Sequence, residues 1–463
     1  MNTTRLRHLG ASIPLVTGLA VASCTPGTFE IPLSSTSSSS TTGPTTGLAT
    51  EPSDTEPIAT TSETDPEPGP SSGDTSGTCT PIEEMEGDEG WWDDKWLRRR
   101  MVEIDTSIFP GAVSNVPVLL RMDASSLGPT WSERGGADLR VRAADDGGTL
   151  DYEIDDVDAD GQLFMWVKLP QLDPAAGSQT VWLYYDNARA DPWLDSDRVW
   201  TGFISVHHLG SDLDDAVGGH DGKSQWEPEL CDGRCGPRVG IARDFVPELA
   251  HEVVLDGEQD FDLGNDPYQP TINFTVSVWM RSSLLADYGW GGVVAKGDST
   301  WRLHTTDLAG EQDERIALAF DCYLPTCAGI VDPWFNYNVV GYDPTGTAED
   351  DINDGAWHYV VTTFEDVAPP PVLPAEYLPT VQVHIYIDGA LVAASPELEE
   401  VLIWEDDQPV RFGHNINGAE RFAGTLDEVR IMTGVRSPDE IAADYLTVVE
   451  DHVAVGEEQQ ICP

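Results

Sequence analysis

Residues 152–161 read Tyr-Glu-Ile-Asp-Asp-Val-Asp-Ala-Asp-Gly and place five carboxylates within ten positions. Three arrangements need acids so close together. Glycoside cleavage with retention uses two carboxyl groups about 5–5.5 Å apart on one face of a sugar. On a strand the side chains alternate, so Glu153, Asp155 and Val157 would share a face. A hard cation needs a ring of oxygens instead, and Asp156, Asp158, Asp160 and Gly161 have the spacing of the first half of a calcium loop. The twelfth position of such a loop calls for a bidentate Glu, and Val167 stands there. The third arrangement is a solvated acidic turn joining the strands "LDYEI" and "LFMWVKL", with Gly161 permitting the reversal. The sequence favours the turn.

Other residues with chemical potential are fewer. His207 and His208 are adjacent on an expected strand, so they point to opposite faces and are read as packing or surface residues. Gly69-Pro70-Ser71-Ser72-Gly73 matches the G-x-S-x-G nucleophile pattern, but no strand precedes it and no helix follows. There is no credible nucleophile–base pair and no phosphate-binding glycine loop followed by Lys. Sugar sites combine aromatic faces with directed hydrogen bonds. "DPWFNYN" offers Trp334, Asn336 and Tyr337 for this, and "DYGWGG" offers Trp290. These four are the candidate ligand contacts.

The formal net charge of −56 on 463 residues makes nucleic acid and anionic membrane surfaces poor partners, because like charge repels. Arg5 and Arg7 precede an apolar run, Ala11 to Ala22, that is too short to span a bilayer. It ends in Val21-Ala22-Ser23-Cys24, the pattern of a bacterial lipobox, in which the Cys24 sulfur would carry the lipid. Residues 1–24 are therefore expected to be a lipoprotein signal peptide. Thr25 in place of Asp favours the outer membrane or cell surface as the destination. Residues 25–90 are rich in Ser, Thr, Pro and acids, with no Lys or Arg, and are expected to be a disordered linker.

Six cysteines remain after Cys24, an even number for an oxidising compartment. Proximity suggests Cys231 with Cys235, Cys322 with Cys327, and Cys79 with Cys462, although six cysteines allow 15 connectivities. Neither close pair has the CxxC spacing of zinc sites.

From Trp91 onward the pattern is that of short β-branched and aromatic strands, such as "VPVLLRMD", "TVWLYYDN" and "FTVSVWMR". "VQVHIYIDGALVAA" predicts a hairpin turning at Asp388-Gly389. "SPDEIAADY" predicts a helix capped by Ser437, with Pro438 first and Asp439 and Glu440 at the positive dipole end. The fold class expected is all-β: two β-sandwich domains after a disordered linker.

"FTVSVWMR", "GVVAKGD", "DGAWHYVVTTF", "VHIYIDGALVA" and "FAGTLDEVRIMTGVRSPDEIAADY" together resemble, in order, the laminin G-like domain of concanavalin A type. The resemblance implies a jelly roll over residues 201–450, followed by a tail, 451–463. It also implies binding to polysaccharide or to a surface or extracellular protein, often with structural Ca2+. By motif, the calcium positions fall on Asp214 and Asp427. "WLRRRMVEI", "VPVLLRMD", "ADLRVRAADDGGTLDYEIDDVDADGQLFMWVKLP" and "VWLYYDNARA" resemble domain of unknown function 2341, which implies a small β-sandwich over residues 91–200 and no particular chemistry. Glu153-Ile154-Asp155 is similar to the start of the E-x-D-x-x-E motif of β-glucanases, but the third acid is Asp158 and the motif lies outside the jelly roll. The expectation is a noncatalytic, lipid-anchored binding or adhesion protein, with a glycan hydrolase and a structural envelope protein as the alternatives.

Overall fold

The computed structural model describes residues 90–462 apart from 128–135, 145–147, 194–195, 232–237, 264–272, 284–290, 298–299, 307–314, 322–336, 343–351, 370–378, 400, 402–406 and 416–419, and apart from the side chains of 306, 315, 321 and 337–342. The first sandwich opens with β1 (Arg98–Asp105), β2 (Val113–Asp123), β3 (Arg140–Ala143) and β4 (Thr149–Leu150). It continues with β5 (Tyr152–Val157), β6 (Gln162–Leu172) and β7 (Ser178–Tyr185). A short helix, α1 (Ser196–Val199), leads to β8 (Phe203–His207), β9 (Gly222–Lys223), β10 (Glu229–Cys231), β11 (Ala242–Phe245) and β12 (Val253–Leu255). The jelly roll then adds β13 (Phe274–Arg281), β14 (Gly292–Ala295), β15 (Trp301–Thr306), β16 (Arg315–Asp321) and β17 (Tyr337–Tyr342). It closes with β18 (Trp357–Asp366), β19 (Val381–Ile387), β20 (Ala390–Ala394), β21 (Arg411–Phe412) and β22 (Gly424–Thr433). Helix α2 (Pro438–Val449) and strand β23 (Val453–Gln460) follow.

A sheet ordered β23-β1-β7-β3-β4 faces the sheet β2-β6-β5 in the first sandwich. Val102, Ile104, Val118, Leu120, Met165, Val167, Val181 and Leu183 fill the space between them. The second sandwich pairs a sheet ordered β17-β16-β15-β14-β21-β12-β9 with one ordered β10-β11-β22-β13-β18-β19-β20, in which β8 also pairs with β22. Phe274, Val276, Val278 and Met280 of β13 point into its core. The two-sandwich, all-β architecture expected from the sequence is present.

Both halves of "LFMWVKL" are apolar because β6 is covered on both faces. Leu163, Met165 and Val167 face the first core, while Phe164 and Trp166 face a second cluster shared with Trp279, Tyr359 and Tyr386 of the jelly roll. That shared cluster is the seam between the two sandwiches. Strands buried on both sides lose the alternation of a half-buried strand.

Helix α2 crosses the seam. Ser437 caps the helix, as predicted, by accepting from the Glu440 amide, and Glu440 reaches back to complete a capping box. Ile441 and Val448 enter the shared cluster, Ala443 enters the first core, and the Thr447 hydroxyl accepts from the Leu119 amide at 2.8 Å. Within residues 451–463, read from sequence as a tail, Val453–Gln460 form a strand instead. β23 pairs antiparallel with β1 from Ile104↔Val453 to Arg98↔Gln460. It covers a sheet edge that would otherwise expose unpaired amides and carbonyls. Its weak alternation hid this role, because the partner strand lies more than 300 residues earlier. The Asp388-Gly389 hairpin turn has φ of 52° and 79°, as predicted.

Candidate functional site

The acidic stretch is not only a turn. Tyr152 and Ile154 of β5 pack on the first core, so alternation aims Glu153 at the seam. Pairing with β6 slips between Ile154 and Asp156, a bulge centred on Asp155. The turn is confined to Asp158–Gly161, where Asp158 Oδ1 accepts from the amides of Asp160 and Gln162 at 2.9 and 2.8 Å. Gly161 has φ 82°. Here the sequence reading of a strand connection holds, displaced toward the C-terminus.

The jelly roll answers with its own bulge. On β22, Asp427 opposes Trp279 and Arg430 opposes Ser277, leaving two residues, Glu428 and Val429, opposite Val278. Glu428 adopts φ 51°, a left-handed conformation costly for a residue with a side chain. Val429 remains in the jelly-roll core while Glu428 turns outward onto His208, which immediately follows β8. His207 and His208 do point to opposite faces. His207 packs against Phe412, and burial pushes its pKa down to about 4.

At the seam the carboxylates converge on one imidazole. His208 Nδ1 lies 2.7 Å from Glu428 Oε1 and 3.4 Å from Asp155 Oδ2, and Nε2 lies 3.2 Å from Glu153 Oε2. The Trp200 indole donates to Glu153 at 2.5 Å, and the Trp166 indole to Asp155 Oδ2 at 3.3 Å. Arg430 donates through Nε at 3.1 Å, and through Nη2, to the second oxygen of Glu428. Its guanidinium is stacked 4.4 Å from the ring centroids of both Trp166 and Trp200. The side chains of His208, Glu153, Asp155 and Glu428 are 14%, 13%, 5% and 0% exposed.

Burial and mutual charge set the protonation states. Burial alone would lower the His208 pKa, but Asp155, Glu428 and Glu153 outweigh it and hold it well above the ordinary value. Burial raises Glu428, yet His208 and Arg430 bring it down to about 2. Burial lifts Asp155 to about 8, with Glu428 and Glu153 adding to the rise against the pull of His208. Asp427 is raised well above its usual range by burial and by Glu428.

The residues singled out from sequence are distributed unevenly. Asp427 is fully buried, with Oδ2 accepting from the Arg238 and Val239 amides at 3.1 Å. Asp214 is exposed, and the charges acting on it belong to Asp212 and Asp221. Those acting on Asp427 belong to Glu428, Asp155 and His208. Asp215, next in the same loop, serves the backbone by accepting from the amides of Val206, Val217, Gly219 and His220. Trp290, Trp334 and Asn336 lie outside the described residues, as do Cys24, Cys79, Cys235, Cys322 and Cys327. Tyr337 pairs with Asp321 through β17, and its side chain is outside the description. Cys231 and Cys462 are each disulfide-bonded. Sequence reasoning missed Glu428 and Arg430, and it gave His208 no chemical role. The signal was "LDEVRI", two consecutive acids inside an otherwise apolar strand.

Residues 255–442 match the family model of the concanavalin A-like lectin/glucanases superfamily, and residues 135–228 match domain of unknown function 2341. The second match carries Glu153, Asp155 and His208, and the first carries Glu428, so the seam joins the two. Over 173 residues the chain is 24% identical to the adhesion G-protein coupled receptor V1 of Danio rerio, a stretch that is 36% of this chain and 2% of that receptor. Similar solved structures include the binding domain of Paraclostridial Mosquitocidal Protein 1, with TM-score 0.37, 13% identity, and coverage of 53% of this chain and 52% of that one. Another is domain 4 of an extracellular arabinanase from Geobacillus stearothermophilus, solved with arabinotriose, with TM-score 0.32, 16% identity, and coverage of 52% of this chain and 96% of that one.

Proposed function

We propose that this chain is a noncatalytic binding head held at a bacterial surface, with carbohydrate or an extracellular protein as its ligand. The superfamily matched by residues 255–442 includes sugar binders and sugar cleavers. The state of the two acids that suggested cleavage favours binding. Glu153 and Asp155 are 13% and 5% exposed and are engaged by Trp200, Trp166 and His208. A hydrolase needs such acids facing a sugar across an open groove. The lipidated Cys24 and an acidic linker would lift the head from the outer membrane. Disulfides Cys231–Cys235, Cys322–Cys327 and Cys79–Cys462 would brace it outside the cell.

The test is a screen of the full chain against a glycan array and envelope extracts, with hydrolysis of every bound glycan followed in parallel. Binding without cleavage, weakened by Trp334→Ala or Trp290→Ala, is the expected result. Cleavage that disappears in Glu153→Gln would replace this reading with the hydrolase. Incorporation of labelled palmitate into the wild-type chain but not into Cys24→Ser checks the anchor.

A further inference from the structure

We propose that Asp155, His208 and Glu428 form a site for one divalent transition-metal ion, which clamps the first sandwich to the jelly roll. Each of the three residues offers one ligand atom, all within 4.8 Å of one another, and the atoms facing His208 Nδ1 are Asp155 Oδ2 and Glu428 Oε1. The Asp155 oxygen at 3.4 Å from Nδ1 falls within the roughly 3–3.5 Å edges between donors held about 2.0–2.2 Å from a metal, and the Glu428 oxygen at 2.7 Å is closer, a hydrogen bond that the ion would replace.

Hydrogen-bond capacity points the same way. An imidazolium has two N–H groups, and three carboxylates surround this one. Nε2 serves Glu153, so Asp155 and Glu428 both face Nδ1, whose single proton goes to Glu428 at 2.7 Å, while Asp155 Oδ2, 3.4 Å from Nδ1, has the long bond from the Trp166 indole at 3.3 Å. A metal ion in that position satisfies both oxygens and the nitrogen lone pair together. The surplus of acceptors continues next door: Asp427 is fully buried, and its Oδ1 has no hydrogen-bond partner.

The surroundings are those of a prepared ligand set. Glu153 on Nε2 orients the ring so that Nδ1 faces the two carboxylates, the carboxylate–histidine arrangement common behind metal ligands. Arg430 holds Glu428 by Oε2 and leaves Oε1 for the ion. The bulge keeps Glu428 at φ 51°, a strained conformation that is retained where the surroundings fix it. One imidazole with two carboxylates suits zinc, manganese or ferrous iron. Calcium takes six to eight oxygens and is a poor match. The His208 side chain is 14% exposed, so the cluster borders solvent.

The experiment uses the full chain, stripped with chelator and titrated calorimetrically with Zn2+ and, separately, Mn2+, each in millimolar Mg2+ to occupy the acidic surface. The expected result is one ion per chain at micromolar or lower Kd, with a raised Tm. Asp155→Asn and His208→Gln should each weaken binding by about 100-fold or more, while Asp160→Asn binds as wild type. Binding unchanged in both ligand variants overturns the proposal, as does no saturable site for either metal, or a site that prefers Ca2+. X-ray absorption on the zinc-loaded wild type needs no variant to fold. One nitrogen among oxygens supports the site, and a sulfur or all-oxygen shell overturns it.

Discussion

Trp200→Ala tests whether the seam, and not the chain connection through α1 alone, holds the two sandwiches together. The Trp200 side chain is fully buried in the cluster shared by the two sandwiches. Its ring meets Trp166 and Phe203 edge-on at 5.3 and 5.5 Å, supports the Arg430 guanidinium, and donates to Glu153. A buried tryptophan removes about 150–250 Å² from water, worth about 4–6 kcal/mol at roughly 25 cal/mol per Å². Measured aromatic-to-alanine costs in cores run about 3–5 kcal/mol. The loss expected here is about 4 kcal/mol. At a urea m value of about 3 kcal/mol per M, the midpoint falls by more than 1 M. Trp200→Phe keeps most of the ring but removes the bond to Glu153, and should cost about 1–2 kcal/mol. The assay is equilibrium urea unfolding read by far-UV circular dichroism and tryptophan fluorescence. Trp226→Ala, a 55% exposed control, should stay within about 0.5 kcal/mol of wild type. If Trp200→Ala shifted stability no more than that control, the seam would not be a cooperative interface and the reasoning would fail.

Three further outcomes follow from the same geometry. Arg430→Met leaves Glu428 buried without its guanidinium and should cost about 3–5 kcal/mol, whereas Arg98→Met, whose partners Asp186 and Glu458 are about a quarter exposed, should cost about 1 kcal/mol or less by thermal melting. Gly413→Ala should destabilise by at least about 2 kcal/mol in the same assay, because φ is 76° and a Cβ there would sit 2.0 Å from Phe245 Cδ1. Burial lowers the His304 pKa from 6.5 to about 3, so the native state favours the neutral ring; its contribution is complete above pH 6.5 and is lost as pH falls toward 3. Melting temperatures of wild type and His304→Phe should therefore converge on acidification, and parallel curves would show that His304 is not buried neutral.

The sheets were legible because strands buried on one or both faces leave strong patterns, and the α2 cap and the Asp388-Gly389 turn carry local signals. β23 was not legible, since its pairing with β1 depends on an edge far away in sequence. The site failed to show for a more specific reason. Strand reasoning assumes strict alternation, which puts Asp155 and Asp156, or Asp427 and Glu428, on opposite faces. Both pairs sit at bulges, where one extra residue lets neighbouring side chains turn the same way.

The two bulges also explain why an acidic run that looks ornamental is partly buried. Asp156 lies against Gly240, where a Cβ would come within 2.7 Å of its own Cβ, so the jelly-roll loop is shaped to the acid. Asp158 and Asp160, two and four positions on, only build the turn. Within one ten-residue stretch, then, the residues split by distance from the seam. The acids that meet the other domain are enclosed with His208 and Arg430, and those that pass it remain in water. An acid's role here is set by which surface faces it, so a carboxylate motif on an outer strand gains chemical meaning only once the covering domain is in place.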